Sequence, residues 1–265
     1  MLEPLPALRK PDYPAPRFER HLPANAALGW LRAGWRDAAA EPWSSAVYGA
    51  VLTLASYAVL WALHASGLLY LALPAISGFL IVGPFLAIGL YEKSRRRSRG
   101  EAPGLAEMAR LRPASGAQLA YAGLLLCLLV LFWLRAADLL YALFFGLTPF
   151  PGATDALTNV FTTPRGWTLI ATGTLVGGLF ASFAFAVSVF SIPMLLSRQT
   201  DALTAMGSSF AMTVQNLRPM LAWGAIVAAG LALAALTGLI GLIVVFPVLG
   251  HGTWHAYSAI AGETA

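Results

Sequence analysis

Apolar residues run along this chain in long blocks, not in strict alternation and not on one narrow stripe. Six blocks approach or exceed the roughly 20 residues that a helix needs to cross a bilayer. They are roughly residues 45–66, 69–91, 117–137, 166–192, 219–237 and 238–257, the last two sharing the turn "LTGLIG". None has the short alternating strands of an outer-membrane barrel. The pattern predicts an all-α fold, a polytopic membrane helical bundle of six transmembrane helices.

The polar stretches between the blocks repeat. "GWLRAGWRDAAAEPWSSAVYGAVLT", "LAEMARLRPASGAQLAYAGLLL" and "ALTAMGSSFAMTVQNLRPMLAWGAIVA" each place a short amphipathic segment and a proline (Pro42, Pro113, Pro219) before an odd-numbered block. Proline stops one helix and can open the next. Each even-numbered block carries a proline near its end: Pro84, Pro193 and Pro247. The expectation is three parallel units, each an interfacial amphipathic helix plus a transmembrane hairpin. Inverted repeats would point more strongly to a secondary transporter. In 26–40, Leu28, Leu31 and Trp35 can share a face, with Arg32 and Asp37 elsewhere. In 201–217, Leu203, Met206, Phe210, Thr213 and Leu217 fall at helical spacing, and Asp201 suits an N-cap. Such helices lie on a membrane surface or serve as docking sites. The organisation expected is a Pro-rich arm (1–25), one membrane domain (26–257) and a short tail (258–265).

Composition agrees with this reading. The chain is 58% hydrophobic and only 11% charged, against roughly 25% charged in an ordinary soluble domain. A water-soluble fold could not hide that much apolar surface. Of 17 basic residues, 15 fall before block one, between blocks two and three, or between blocks four and five. By the positive-inside rule both termini are cytoplasmic, in a bacterial inner membrane. The arm "MLEPLPALRKPDYPAPRFERHLP" lacks the apolar core of a signal peptide. The net charge of +5 is thus a topology signal, and no nucleic-acid surface is expected. "KSRRRSR" reads as an orientation signal, or as a contact for anionic lipids through Lys93, Arg95, Arg96, Arg97 and Arg99. The single cysteine, Cys127, excludes an internal disulfide.

Candidate chemistry is sparse. Arg135 and Asp138 sit three apart in an apolar run. They can pair, and they either mark where the third span leaves the membrane or form a functional ion pair. Residues 140–165 beyond them are too apolar for an ordinary loop, so an interfacial outer segment is expected. His251 and His255 are four apart on one helix face, a spacing open to a metal or haem, but two ligands do not complete a site. His64 reads as an interfacial polar residue. "GTLVGG" (173–178) and Gly224, Ala228 and Ala232 form small-residue faces that let helices approach closely. There is no phosphate-binding loop, HExxH, paired catalytic carboxylates or CxxCH. No enzyme and no cofactor is expected.

At "VGPFLAIGLYEKSRR", "FTTPRGWTLIATGTLVGG" and "VVFPVLGHGTWHAY" the sequence resembles the DUF2189 family of prokaryotic integral membrane proteins. The resemblance runs from about Ala26 to about Tyr257. Members are sometimes labelled putative cytochrome c oxidase subunits, which implies at most a respiratory association. A catalytic oxidase subunit would need about twice as many spans and several intramembrane histidines. The resemblance transfers no catalytic residue. The expectation is a non-catalytic accessory or assembly component of a larger membrane complex, contacting bilayer lipids and a membrane-protein partner or a second copy. The alternatives are a small-solute or lipid transporter, with a polar cavity near Arg135, Asp138 and the proline-broken spans, and a metal or haem protein using His251 and His255.

Overall fold

The computed structural model describes residues 18–146 and 152–262, and among these every regular element is helical. Helix α1 (Ala26–Ala40) leads into α2 (Pro42–Ala65). A short 3-10 turn (Leu69–Leu71) is followed by α3 (Ala72–Ser77), α4 (Phe79–Leu86) and α5 (Ile88–Arg97). Then come α6 (Leu105–Ala109), α7 (Gly116–Phe145), α8 (Ala153–Thr162), α9 (Pro164–Ser188) and α10 (Ser191–Ser197). The chain ends with α11 (Ala202–Gln215), α12 (Leu217–Leu236) and α13 (Leu242–Ala261).

Local chemistry sets the boundaries. Pro42 and Pro164 occupy the first turns of α2 and α9, where a missing N–H costs nothing. Thr163 accepts from Gly166 N at 3.0 Å to cap α9. Asp201 caps α11 through Thr204 N at 2.9 Å, as expected. Within α4, Pro84 cannot donate, and the helix breaks at Ala87. The Leu86 carbonyl at that break accepts the Tyr48 hydroxyl at 2.7 Å. The break between α9 and α10, ahead of Pro193, is closed by Ser209. Its hydroxyl accepts from Phe190 N at 3.1 Å and donates to the Ala186 carbonyl at 2.7 Å. A side chain from α11 thus bridges one missing rung of the helix ladder. Pro247 is accommodated inside an unbroken α13.

Among the described residues, four helical stretches are long and apolar enough to cross a membrane: Pro42–Ala65, Gly116–Phe145, Pro164–Ser197 and Leu217–Leu236. The other two expected spans are built differently. Residues 69–91 are divided among the 3-10 turn, α3, α4 and the start of α5. Block 238–257 falls mainly in α13, which runs antiparallel to both α2 and α1. Thr53 meets Leu239, Gly49 meets Ile243, and Gly34 lies against Val248 and Gly252. The second half of α13 is therefore buried by α1.

The largest core gathers at the end of the bundle where the basic residues collect. It includes Trp30, Tyr91, Phe190, Trp223, Trp254 and Tyr257. Away from that end the long helices expose Leu54, Trp61, Phe132, Leu175 and Leu236, as lipid-facing helices do. On α1 the buried face is Ala27, Trp30, Gly34, Asp37 and Ala38, while Leu28 and Trp35 face outward. Asp37 therefore points into the protein and the apolar pair away from it. The arm is docked from Phe18 onward. Asn216 Nδ2 donates to the Phe18 carbonyl at 2.9 Å, and Arg20 Nε donates to the Ile260 carbonyl at 2.9 Å. Arg9, Lys10 and Arg17 lie outside the described residues.

Candidate functional site

The ends of α1, α2, α5 and α13 converge at the basic end of the bundle and enclose a polar chain. Lys93 is fully buried. Its ammonium donates to the Glu41 carbonyl, Ser44 Oγ and Ser45 Oγ, each at 2.9 Å. Those are all three of its donors. Ser45 Oγ lies 3.2 Å from His251 Nε2, and His251 Nδ1 lies 2.8 Å from Ser94 Oγ. Ser94 donates to Asp37 Oδ2 at 2.6 Å. His255 Nε2 donates to the same oxygen at 2.8 Å, and Arg97 Nε donates to Asp37 Oδ1 at 3.3 Å.

Bonding capacity fixes the hydrogens along this chain. An ammonium can only donate and a carboxylate can only accept. Ser94 gives its proton to Asp37, so it must accept from His251, whose Nδ1 carries hydrogen. Ser45 receives from Lys93, so its own proton goes to His251 Nε2. His251 is then a neutral imidazole with both nitrogens engaged. The chain runs in one direction, from a cation through two hydroxyls and one imidazole to an anion.

The electrostatics follow from enclosure. Burial pushes the Lys93 ammonium down to about 8, opposed by the Glu41 carboxylate and reinforced by Arg97. Burial alone would raise Asp37. The hydrogen bonds from His255 and Ser94 outweigh it and hold the carboxyl at about 2. Beside the chain, buried Glu92 takes Arg95 at 2.7 Å and Arg96 at 2.7 Å. The basic cluster is thereby divided. Lys93 points inward, away from any headgroup, Arg95, Arg96 and Arg97 are held by buried carboxylates, and Arg99 stays exposed.

His251 and His255 therefore share a face, as their spacing requires, but each is bonded to protein groups. No cluster of three or more His, Cys, Asp or Glu able to hold a metal occurs among the described residues. Asp37, Ser45 and Ser94 were not distinguishable as site residues from sequence. The only signals were the histidine pair and the serines at the start of an apolar block, and neither names Asp37 as the partner.

At the opposite end, Arg135 and Asp138 do pair, at 3.2 Å, with Arg135 82% exposed. They do not mark a helix end, because α7 continues to Phe145. Of the outer segment, 140–145 belongs to α7, 153–162 forms α8, and 147–151 lie outside the described residues. His64 is exposed near the end of α2, and Cys127 is exposed on α7. Between α3, α4, α7, α8 and α9 lies a cavity of about 410 Å³. Trp133 forms one wall and donates from Nε1 to the Pro74 carbonyl at 3.0 Å and Ser77 Oγ at 2.9 Å. Gly177 lets its ring approach, since a Cβ there would lie 2.7 Å from the indole. Asp138 is on the lining, but the walls are otherwise mostly Leu, Ile, Val, Ala and Gly. The cavity stands where a transporter reading would put one, and it is apolar, not polar.

Residues 72–197 match the model of a family described as predicted integral membrane protein (DUF2189). No curated protein and no solved structure matches the chain. Two of the three phrases that carry the resemblance, at 82–96 and 161–178, lie inside the matched stretch, and 244–257 lies beyond it. The stretch covers the helices around the cavity and the Lys93 and Ser94 part of the polar chain. It leaves out Asp37, Ser45 and His251.

Proposed function

From a chain whose residues 72–197 match the model of the DUF2189 family of predicted integral membrane proteins, we propose a non-catalytic protein that works by association, as an accessory or assembly component of a larger membrane complex. The observation that carries this reading is the outward face of α12. Ala225, Ala228, Ala229 and Ala232 are exposed there between Leu221 and Leu236. At Gly224, half-buried on the same helix, a Cβ would meet only the Phe185 ring, in ordinary contact at 3.8 Å. Small residues drive helix pairing inside a bilayer by close backbone approach, and this face is not used by the chain's own packing. The polar chain at the other site supports the same reading. Its charges are used up by one another, so it works as a clamp on α1, α2, α5 and α13.

The setting belongs to the proposal. A bacterial inner membrane with both termini cytoplasmic fits the gathering of basic residues at one end. Leu28 and Trp35, beside Arg32 and Arg36, would rest in the headgroup layer there. Arg99 remains free for anionic lipid.

The test is affinity capture of the tagged protein from native membranes in mild detergent, with mass spectrometry of what is retained. A stoichiometric partner that Ala228→Leu with Ala232→Leu releases supports the reading. Capture of the chain alone, in wild type and variant, removes it.

A further inference from the structure

We propose that the cavity between α7 and α9 is a binding site for one membrane lipid, its acyl chain inside and its headgroup at the Asp138–Arg135 pair. Four observations carry this.

The first is size and place. At about 410 Å³ the cavity falls in the roughly 300–1,000 Å³ range of small-molecule sites. Two of the five helices around it, α7 and α9, belong to stretches long and apolar enough to span a membrane, and it lies at the end away from the basic cluster. The second is chemistry. Leu80, Ile81, Leu169, Ile170 and the Trp133 ring line it. Water needs two to four polar partners to stay in such a space, and the Trp133 N–H and Ser77 Oγ already bond each other. An alkyl chain needs none.

The third is the polar rim. Asp138 lines the cavity with its side chain 27% exposed, and its contact with Arg135 uses Oδ2 only. Oδ1 has no partner among the described residues. Arg135 extends outward at 82% exposure. A carboxylate with one oxygen open, beside a guanidinium that it engages through a single nitrogen, complements a zwitterionic headgroup, with the ammonium at Asp138 and the phosphate at Arg135. That selects an amine-bearing phospholipid over an anionic one. The fourth is the glycine wall. Gly173 and Gly178 line the cavity, and a Cβ at either would meet nothing within 4 Å. The space is open at residues where any side chain would begin to fill it.

The test uses the full chain in vesicles of phosphatidylethanolamine and phosphatidylglycerol. These carry a trace of phosphatidylethanolamine with a diazirine in one acyl chain. After irradiation, labelled positions are mapped by mass spectrometry. The site predicts labelling at Ile81, Trp133 and Ile170 that excess unlabelled phosphatidylethanolamine competes away, and phosphatidylglycerol competes poorly. Gly173→Leu with Ala181→Leu should cut that labelling roughly tenfold, as expected when one side chain's apolar contact is denied to the ligand. Labelling of Leu54, exposed on α2, should not change. Asp138→Asn should erase the preference for the amine headgroup while the fold, read by thermal midpoint, is kept. Equal labelling of cavity and Leu54 positions, unaffected by the filling variants, would overturn the site. Cavity labelling that phosphatidylglycerol competes equally well would overturn the headgroup assignment.

Discussion

Asp37 on α1 receives a 2.8 Å hydrogen bond from His255 on α13, across 218 positions of sequence. Ser94 and Arg97 of α5 bind the same carboxylate. One acidic side chain thus ties three helices together at a place where the sequence showed only a polar residue on a short helix.

Removing that carboxylate leaves His255, Ser94 and Arg97 without their common acceptor. His255 and Arg97 keep some contact with solvent, so the cost is that of donors left without their acceptor, about 1–3 kcal/mol. Asp37→Ala should lose about that much stability in reversible denaturation in mixed micelles. Asp37→Asn keeps an acceptor and should lose less.

The same carboxyl sets an acid limit. It stands at about 2 in the folded protein, below the ordinary 3.8. Its stabilisation is complete above the ordinary value and is lost as pH falls from there through about 2. The thermal midpoint of the wild type should drop across that window, and the drop should be shallower in Asp37→Asn.

Lys93 works in the opposite sense. Its pKa is depressed from 10.5 to about 8, so between those values the unfolded chain holds a proton that the folded protein has released. Stability rises with pH across that window. Raising the pH from 7.5 to 9.5 should lift the midpoint of the wild type relative to Lys93→Met, measured in the same detergent.

The hydrogen positions in the chain are open to direct observation. Nitrogen-15 spectra of labelled histidine should show His251 neutral, with hydrogen on Nδ1. A protonated imidazole, or hydrogen on Nε2, would contradict the Lys93-to-Asp37 direction.

Close helix packing gives a further test. A Cβ on Gly34 would sit 2.3 Å from the Val248 carbonyl oxygen and 2.6 Å from Gly252 N, both backbone atoms that cannot swing aside. Gly34→Ala should cost about 1–3 kcal/mol by forcing α1 from α13. Gly29→Ala, on the same helix with nothing within 4 Å, should be neutral or stabilising by up to about 1 kcal/mol. The difference between the two midpoints isolates the contact from helix propensity.

Block length and hydropathy determined the helical membrane class, the long helices α2, α7, α9 and α12, and the gathering of basic residues at one end. These depend on local composition alone, because a bilayer is satisfied by any apolar helix of sufficient length. The i, i+3 spacing also determined the Arg135–Asp138 pair. Tertiary structure decided the rest. Pro84 announced a break in block 69–91, but that Tyr48 would take up the Leu86 carbonyl at that break was decided by the packing of α2 against it. Whether His251 and His255 were ligands or links in a chain depended on Asp37, Ser45 and Ser94 arriving from three other helices. Whether Lys93 faced lipid or the interior depended on the start of α2 meeting the end of α5. The cavity needed five helices to enclose it. Hydropathy describes how each segment meets solvent or lipid. It carries no record of which helix becomes whose neighbour, and buried polar groups are satisfied by neighbours.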